Sequence, residues 1–270
     1  MNVVLLLLIS ALSCSLAYAK DEVHSAPLEF AHTLTFNSQI LKQNRSINVY
    51  LPAEYQKNTQ QTYPVIYLLD GSKDEDFIHI AGLVQFANFP WLNFLPPSIV
   101  VGISNQDRKR DFTTQSNNAL DKRDLPTHGG AKSFIAFLEN ELRPMIDKRY
   151  RTNQSDTLIG QSLGGLLASE ILFHHTSLFD HYVIVSPSLW WNNESLLASK
   201  FAPTSLPKSV YIAVGKEGDV MERVAKQLHD KIATQLEGKS QLHFRYFEEL
   251  DHGDTLHLAV YDAFKQVEYK

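Results

Sequence analysis

The chain has 270 residues, of which 44% are hydrophobic and 20% are charged, a composition that predicts one globular domain with a large core. Its formal net charge of −5 argues against nucleic acid as a partner, because surfaces that bind nucleic acid are basic. The only cysteine is Cys14, so the chain after it offers no thiol for disulfides, metal binding or nucleophilic catalysis.

The N-terminus carries the pattern of a secretory signal. Residues 1–10 form a hydrophobic run too short to span a bilayer, and Ala17-Tyr18-Ala19 has the small-x-small spacing of a signal-peptidase site. We therefore expect an exported bacterial protein, periplasmic or secreted, whose single mature domain covers residues 20–270 without stable insertion in a membrane. The signal segment has no Lys or Arg at its start, so an uncleaved N-terminal anchor stays open as an alternative.

Strand patterns and helix patterns alternate along the mature chain. Two segments, residues 29–36 and 46–51, predict an antiparallel opening pair of strands. Further strands are predicted over residues 63–70, 97–103, 181–185, 209–214 and 242–247 and in the apolar run before residue 160, with helices over residues 77–94, 131–147, 165–173, 220–236 and 255–270. This alternation predicts an α/β fold with a mostly parallel central sheet and helices on both faces.

A polar stretch interrupts the apolar patterns over residues 105–130. A structureless stretch of this length is uncommon inside a folded domain, so we interpret it as a functional loop or a lid. In the helix predicted after it, Pro144 is expected to bend the helix or to mark its last turn.

Residues 160–164 read G-x-S-x-G, the pattern of a nucleophile elbow, between a short apolar strand and a helical segment. A sharp strand-to-helix turn exposes the hydroxyl of Ser162 and directs the positive end of the helix toward it. The alternative is a glycine-rich turn with an incidental serine. The partner residues found elsewhere in the chain favour the nucleophile.

A serine nucleophile needs a base, and the base needs a group that orients it. His252 follows the last predicted strand and precedes the last helix, which is where a fold with the order serine, acid, histidine places its base. Glu217 and Asp219 both follow the strand that ends near residue 214, and we prefer Glu217 because Asp219 can instead cap the next helix. A serine–histidine pair without an essential acid is a third alternative.

A tetrahedral intermediate requires two backbone N–H donors for its oxyanion. Leu163, directly after the nucleophile, is one candidate, and Ser72 or Gly71 is the candidate for the other. The neighbouring His174 and His175 do not face one another on a helix, so no metal site is predicted, and no cofactor is expected.

Five blocks of sequence carry a family resemblance. They are Tyr67-Leu-Leu-Asp-Gly71, Arg108-Lys-Arg-Asp-Phe-Thr113, Gly160-Gln-Ser-Leu-Gly-Gly165, Ser186-Pro-Ser-Leu-Trp-Trp191 and Asp251-His-Gly253. In this order they resemble blocks of the esterase D-like α/β hydrolases, a group that includes esterases of catecholate siderophores such as enterochelin. The resemblance implies an α/β-hydrolase fold and a serine carboxylic ester hydrolase that forms an acyl-enzyme on a small-molecule ester. It also implies Ser162 as nucleophile, His252 as base and the loop holding Glu217 as the place of the acid.

The resemblance extends to candidate substrate-binding residues. Trp190 and Trp191 are similar to the aromatic wall of the siderophore esterases and suit stacking on catechol rings, while Arg108 and Arg110 are candidates to meet anionic groups of a ligand. Two alternatives are open: the Trp pair packs beneath the lid, and Arg110 pairs with a nearby carboxylate such as Asp107.

Two other functions fit the same residues. One is a noncatalytic ligand-binding protein on a hydrolase fold, and the other is an acyltransferase, since transferases and hydrolases share this set of groups. The sequence gives no indication of the oligomeric state.

Overall fold

The computed structural model describes residues 23–203, 205–236 and 238–269. The chain divides into two units, Met1–Phe30 and Ala31–Lys270. In the first unit, residues 23–30 form neither helix nor strand and are mostly exposed. The predicted secretory signal, residues 1–19, lies outside the described residues, and the start of the mature domain at residue 20 stays a prediction.

An eight-stranded sheet forms the centre of the second unit, with the strand order β1-β2-β4-β3-β5-β6-β7-β8. Its strands are β1 (His32–Ser38), β2 (Gln43–Tyr50), β3 (Tyr63–Leu68), β4 (Ile99–Ile103), β5 (Thr152–Gln161), β6 (His181–Val185), β7 (Ser209–Gly215) and β8 (Gln241–Phe247). β1 and β2 are antiparallel to each other, β2 is antiparallel to β4, and all remaining pairs are parallel. The predicted mostly parallel sheet with an antiparallel opening pair is therefore confirmed.

Helices follow most of the strands. They are α1 (Phe77–Ala87), α2 (Arg108–Asp111), α3 (Ala119–Asp124), α4 (Ala131–Phe137), α5 (Arg143–Arg149), α6 (Leu163–His174), α7 (Trp191–Ala198), α8 (Asp219–Leu236) and α9 (Thr255–Gln266). Every residue of β4, β6 and β7 is buried, so both faces of the sheet are covered by helices there. None of the described helices is long and apolar enough to cross a membrane.

The predicted helix over residues 131–147 is continuous but irregular. A π-helical turn at Leu138–Leu142 joins α4 to α5. Pro144 lies in the first turn of α5, and because proline has no N–H and crowds the carbonyl four residues earlier, the wider turn before it accommodates the ring. The proline thus ends one helical segment and begins the next.

The carboxyl ends of β3, β5, β6, β7 and β8 lie along one edge of the sheet, because these strands are parallel. In open α/β sheets this edge is where ligands bind. The loops that follow these strands hold Asp70, Ser162, Ser186, Glu217 and His252.

Candidate active site

Ser162 occupies a sharp turn between β5 and α6. Its backbone angles, φ 59° and ψ −119°, lie in a region that residues with a side chain rarely adopt, which is the strained geometry of a nucleophile elbow. A Cβ atom at Gly160 would come within 2.5 Å of the carbonyl oxygen of Gly164. Glycine at 160 is therefore required for the strand and the helix to approach so closely.

Ser162 lines a cleft of about 660 Å³, within the usual size of small-molecule sites. The cleft is lined by Ser162, Ser188, Trp190, Lys216, Glu217, Met221, Asp251 and His252. Ser162 Oγ lies 3.4 Å from Ser188 Oγ, and the Ser188 N–H donates to the Ser162 carbonyl at 3.0 Å. The loop after β6 is therefore attached to the elbow through both backbone and side chain.

The structure brings Glu217 to His252. The Nδ1 atom of His252 is 2.5 Å from Glu217 Oε2, while Glu217 Oε1 accepts hydrogen bonds from the Ser186 hydroxyl and, at 2.9 Å, from the Gly215 N–H. The Glu217 side chain is 2% exposed and that of His252 is 48% exposed. Asp219, the alternative acid, instead opens α8 and is exposed.

These contacts set the ionisation of the pair. Burial opposes the charge on Glu217, but hydrogen bonds from His252, Ser186 and the Gly215 N–H outweigh it and lower the pKa of Glu217. The hydrogen bond to Glu217 in turn raises the pKa of His252 above its ordinary value, against the effect of partial burial. An ionised acid that favours the imidazolium is the arrangement a serine nucleophile requires of its base.

Contacts from neighbouring loops fix the segment that carries His252. The Gln161 side chain donates through Nε2 to the His252 carbonyl at 2.6 Å, and the Lys216 N–H donates to the Leu250 carbonyl at 2.6 Å. The Thr255 hydroxyl closes the turn by donating to the Asp251 carbonyl at 2.5 Å. The segment of His252 is thus held by Gln161, which precedes Ser162, and by Lys216, which precedes Glu217.

The oxyanion candidates differ in the state of their N–H groups. Leu163 is the first residue of α6, so its backbone N–H has no carbonyl acceptor within the helix. The Gly71 N–H donates to the Ile103 carbonyl at 3.0 Å, and a Cβ at Gly71 would meet Gly102 Cα at 2.4 Å. The Gly71 N–H is thus used in backbone packing against β4, which favours Ser72 over Gly71 as the second donor. The Ser72 N–H remains the second candidate and donates to the exposed Glu75 carboxylate at 3.2 Å.

Arg108 is engaged by a carboxylate from the loop after β3. Its Nε and Nη2 atoms donate to the two oxygens of Asp70 at 2.8 and 2.9 Å, a bidentate pair that leaves one guanidinium nitrogen for other contacts. Burial of Arg108 opposes its charge, but the hydrogen bonds to Asp70 together with the negative charges of nearby carboxylates, Asp70 among them, outweigh burial and raise the pKa of Arg108. The positive charge of Arg108 opposes, but does not cancel, the rise in the pKa of His252 that the hydrogen bond to Glu217 causes.

Arg110 lies away from the cleft. Its guanidinium donates to Asp111 Oδ1 at 2.9 Å and to Gln43 Oε1 at 3.2 Å. The expected partner Asp107 instead accepts the backbone N–H of Arg110 at 3.0 Å and caps α2. Arg110 does not line the cleft, and its guanidinium pairs with Asp111 of the same short helix, so the structure favours the alternative in which Arg110 pairs with a nearby carboxylate.

The two adjacent tryptophans point to different surroundings. Trp190 is half-buried and lines the cleft, as the aromatic-wall hypothesis expects. Trp191 is 2% exposed, and its Nε1 donates to the Thr114 carbonyl at 3.2 Å. Trp191 was therefore wrong as a ligand-stacking residue, because it packs in the core beneath the polar stretch.

Two polar contacts of the site were missed from the sequence. Ser186 supports the acid and Gln161 supports the base, and both lie at the ends of strands that already pointed to the site. Ser186 also has a positive φ of 44°, the same backbone signature as Ser162. The signal that could have found them was their position at the carboxyl edge of the sheet.

Comparisons with known proteins agree with this geometry. Residues 38–266 match the Esterase family, described as "Putative esterase". The ferri-bacillibactin esterase BesA of Bacillus subtilis is 28% identical over 246 residues, which cover 83% of this chain and 85% of that protein.

Two solved structures are also similar. The BES protein of Bacillus cereus has a TM-score of 0.77 at 26% identity and covers 92% of this chain and 98% of its own. An IroE-like serine hydrolase of Shewanella oneidensis has a TM-score of 0.74 at 28% identity, with 87% and 79% covered. The chain belongs to the Esterase family and is an α/β hydrolase that acts on carboxylic esters.

Proposed function

We propose that Ser162, His252 and Glu217 form the catalytic triad of this ester hydrolase, with Leu163 and Ser72 as the oxyanion donors. The observation that carries the assignment is the contact between His252 and the buried Glu217 in the same cleft as Ser162. Ser162 Oγ lies 3.4 Å from Ser188 Oγ, and catalytic hydrogen bonds to the base commonly tighten only when substrate binds.

The proposed reaction has two halves. Ser162 Oγ attacks the ester carbonyl carbon while His252 Nε2 accepts the hydroxyl proton, and the carbonyl oxygen becomes an oxyanion that the Leu163 N–H stabilises. The intermediate collapses, the bond to the alcohol oxygen breaks, and His252 returns its proton to that oxygen. Water, deprotonated by His252, then attacks the acyl-enzyme, and the acid leaves as Ser162 regains its proton.

For the substrate we propose the ester bonds of a siderophore, with the catecholate trilactones as the leading class. Support comes from the name of the Bacillus subtilis relative and from a siderophore enterobactin esterase of Emericella nidulans that is 42% identical over 73 residues, 26% of this chain. The cleft adds chemical support, since Trp190 and Met221 give it an apolar wall on which an aromatic ring can stack.

Substitution of the triad tests the mechanism. We expect Ser162→Ala and His252→Ala each to reduce turnover by a factor on the order of 10⁴ to 10⁶, because triad members act as a unit. A fluorophosphonate probe should label wild-type Ser162, as checked by peptide mass spectrometry, and should not label Ser162→Ala. Ordinary turnover in Ser162→Ala would reject the assignment, and absent labelling together with ligand binding would instead indicate a noncatalytic binding protein.

A hydrolysis panel tests the substrate. Purified protein is compared on a catecholate trilactone and on p-nitrophenyl esters of increasing acyl length, with Ser162→Ala as the blank. We expect kcat/KM for the trilactone to exceed that for every simple ester, and fast cleavage of short acyl chains alone would reject the siderophore proposal. Added alcohols test the alternative of acyl transfer, because a transferase passes the acyl group to them in preference to water.

We further propose that residues 1–19 are removed during export and that the mature enzyme works outside the cytoplasm. The support is the sequence pattern at Ala17-Tyr18-Ala19. The intact mass of the protein recovered from the periplasm or medium of a bacterial host should correspond to a chain that begins at Lys20. A full-length mass in the membrane fraction would instead identify an anchor.

A further inference from the structure

The cations that are candidates to bind an anionic ligand differ in how they are neutralised. Both arginines expected to meet anionic ligand groups hold carboxylates of the protein: Arg108 binds Asp70 through two nitrogens, and Arg110 binds Asp111. An arginine committed in this way offers an incoming anion much less than a free cation does. Recognition of charge in the cleft therefore depends on another residue.

Lys216 is that residue. It lines the same cleft as Ser162 and is exposed, and its Nζ has neither an ion pair nor a hydrogen bond with any described residue. Its place in the site is nevertheless fixed by the backbone. The Lys216 N–H donates to the Leu250 carbonyl at 2.6 Å, and the next N–H, that of Glu217, donates to Glu222 at 3.0 Å.

The carboxylates of the cleft are already engaged. Glu217 is buried and accepts hydrogen bonds from three donors, including His252. Asp251 accepts the Gly253 N–H at 2.7 Å and forms no ion pair with the Lys216 ammonium. Lys216 thus brings to the cleft a positive charge that has no counterion among residues 23–203, 205–236 and 238–269.

We infer that Lys216 is a specificity-determining residue that selects esters bearing an anionic group close to the scissile bond. This inference rests on the proposed function, because it assigns a substrate preference to the Ser162 site. An apolar wall of Trp190 and Met221 beside one free ammonium favours an anion carried on an aromatic or apolar body. A lysine, unlike an arginine, presents a compact charge on a flexible stem, so it selects charge with little demand on the shape of the anion.

The contribution of Lys216 is electrostatic and partly exposed to water. We therefore expect a moderate effect, a change in selectivity of about three- to tenfold for neutralisation of the charge. The effect should shrink as the salt concentration rises, because salt screens exposed charges over roughly 8 to 10 Å at physiological ionic strength.

The test uses pairs of esters that differ only in charge. One pair is the p-nitrophenyl monoester of terephthalic acid and the p-nitrophenyl ester of terephthalamic acid, in which a neutral carboxamide replaces the carboxylate. The second pair, p-carboxyphenyl acetate and p-carbamoylphenyl acetate, carries the charge on the alcohol. The measured quantity is the ratio of kcat/KM for the anionic ester to that for the neutral ester, in wild type and in Lys216→Gln, Lys216→Glu and Lys216→Arg. Comparison between variants cancels the intrinsic reactivity of each ester.

In at least one pair we expect the ratio to fall about three- to tenfold in Lys216→Gln, to fall further in Lys216→Glu and to be retained in Lys216→Arg. Lys239→Glu is the matched control. Lys239 is exposed in the turn before β8, at the amino end of that strand, whereas the site lies at the carboxyl ends. The variant should therefore leave both ratios unchanged. Ratios that stay unchanged in Lys216→Glu, in an enzyme that still hydrolyses the neutral esters, would overturn the role of Lys216 and leave the proposed function standing. A wild type that cleaves a catecholate trilactone but neither anionic ester would overturn the role of Lys216 alone, whereas one that cleaves none of these compounds would contradict the proposed function as well.

Discussion

At the scale of single residues, Glu217 is buried while His252 is partly exposed. This difference explains how the proposed site combines a fixed negative charge with access to substrate. Glu217 is shielded from water and held by three donors, whereas about half of the His252 side chain faces the cleft. Burial and three hydrogen bonds hold this carboxylate in one orientation, and the hydrogen bonds favour its ionised form. His252 therefore receives a constant electrostatic bias while its other nitrogen stays free to exchange protons.

This bias predicts a pH dependence that Glu217 controls. His252 acts as a base only when neutral, so activity falls as the pH drops through its pKa. Because Glu217 raises that pKa, the acid limb of kcat/KM should lie above the ordinary histidine value of about 6.5. In Glu217→Gln the stabilisation of the imidazolium is lost, so we expect the limb to move to lower pH and kcat to fall roughly 10²- to 10⁴-fold.

The measurement is kcat/KM from pH 5 to 9 (roughly the range over which a histidine titrates) with a p-nitrophenyl ester, read at a pH-independent wavelength. Asp219→Asn is the control, because Asp219 does not contact His252 and should leave the limb in place. A limb that moves equally in both variants would show that the general field of the loop, rather than the Glu217 contact, sets the pKa of His252.

The residues found from the sequence share one property. Ser162, Glu217 and His252 each follow a strand of the alternating α/β pattern, and parallel strands end at the same edge whatever the loops do. Side-chain direction beyond the strand end is a different matter, because it depends on the backbone of the loop. Trp190 lines the cleft and Trp191 packs in the core, although the two residues are adjacent in the sequence. A local sequence pattern does not separate such neighbours, because the difference comes from the tertiary packing around each ring.

At the scale of elements, the polar stretch over residues 105–130 is more structured than its charged composition predicts. It contains the short helices α2 and α3, neither long enough to be stable by itself. Arg45 of β2, fully buried, instead binds Asp111 of α2 at 2.8 Å. This tertiary ion pair attaches the stretch to the sheet, and its two members are 66 positions apart in the sequence, beyond the reach of a local pattern.

Breaking this pair should be costly. Burial lowers the pKa of Arg45, and Asp111 opposes that effect, so removal of the carboxylate leaves a buried charge without compensation. We expect Asp111→Asn to reduce the free energy of unfolding by about 3 kcal/mol, measured by urea denaturation. The double variant Arg45→Met, Asp111→Leu should recover part of the loss, because it removes both charges from the core.

The exposed pair Arg123–Asp124 of α3 provides the control within the same stretch. Arg123→Gln should leave the urea midpoint unchanged, because ion pairs in full contact with water contribute little to stability. If Asp111→Asn were as stable as Arg123→Gln, the polar stretch would be held by its other contacts, such as those of residues 116–118 with α7.

At the scale of the whole molecule, the site extends from an inner strand of the sheet, β5, to an edge strand, β8. β5, which leads to Ser162, lies between β3 and β6, whereas β8, which leads to His252, pairs only with β7. The second half of β5 is buried, but every residue of β8 is at least partly exposed. The alternation of strands and helices made this arrangement predictable in outline, while the strand order depends on long-range packing that the sequence pattern does not encode. The base thus depends on the least covered strand of the parallel part of the sheet.

Local opening of β8 breaks the hydrogen bonds of one neighbour only and exposes little apolar surface, so we expect its amides to exchange with deuterium faster than those of residues 157–161 in β5. Urea below the global transition should then lower kcat/KM before the far-UV circular dichroism changes, because displacement of β8 moves His252 while the nucleophile strand stays folded. β1, the other edge strand, carries no proposed catalytic group, and its exchange provides an internal comparison. Equal protection of β8 and β5, with activity and dichroism lost together, would mean that the sheet opens as one cooperative unit and that position at the edge does not limit the stability of the site.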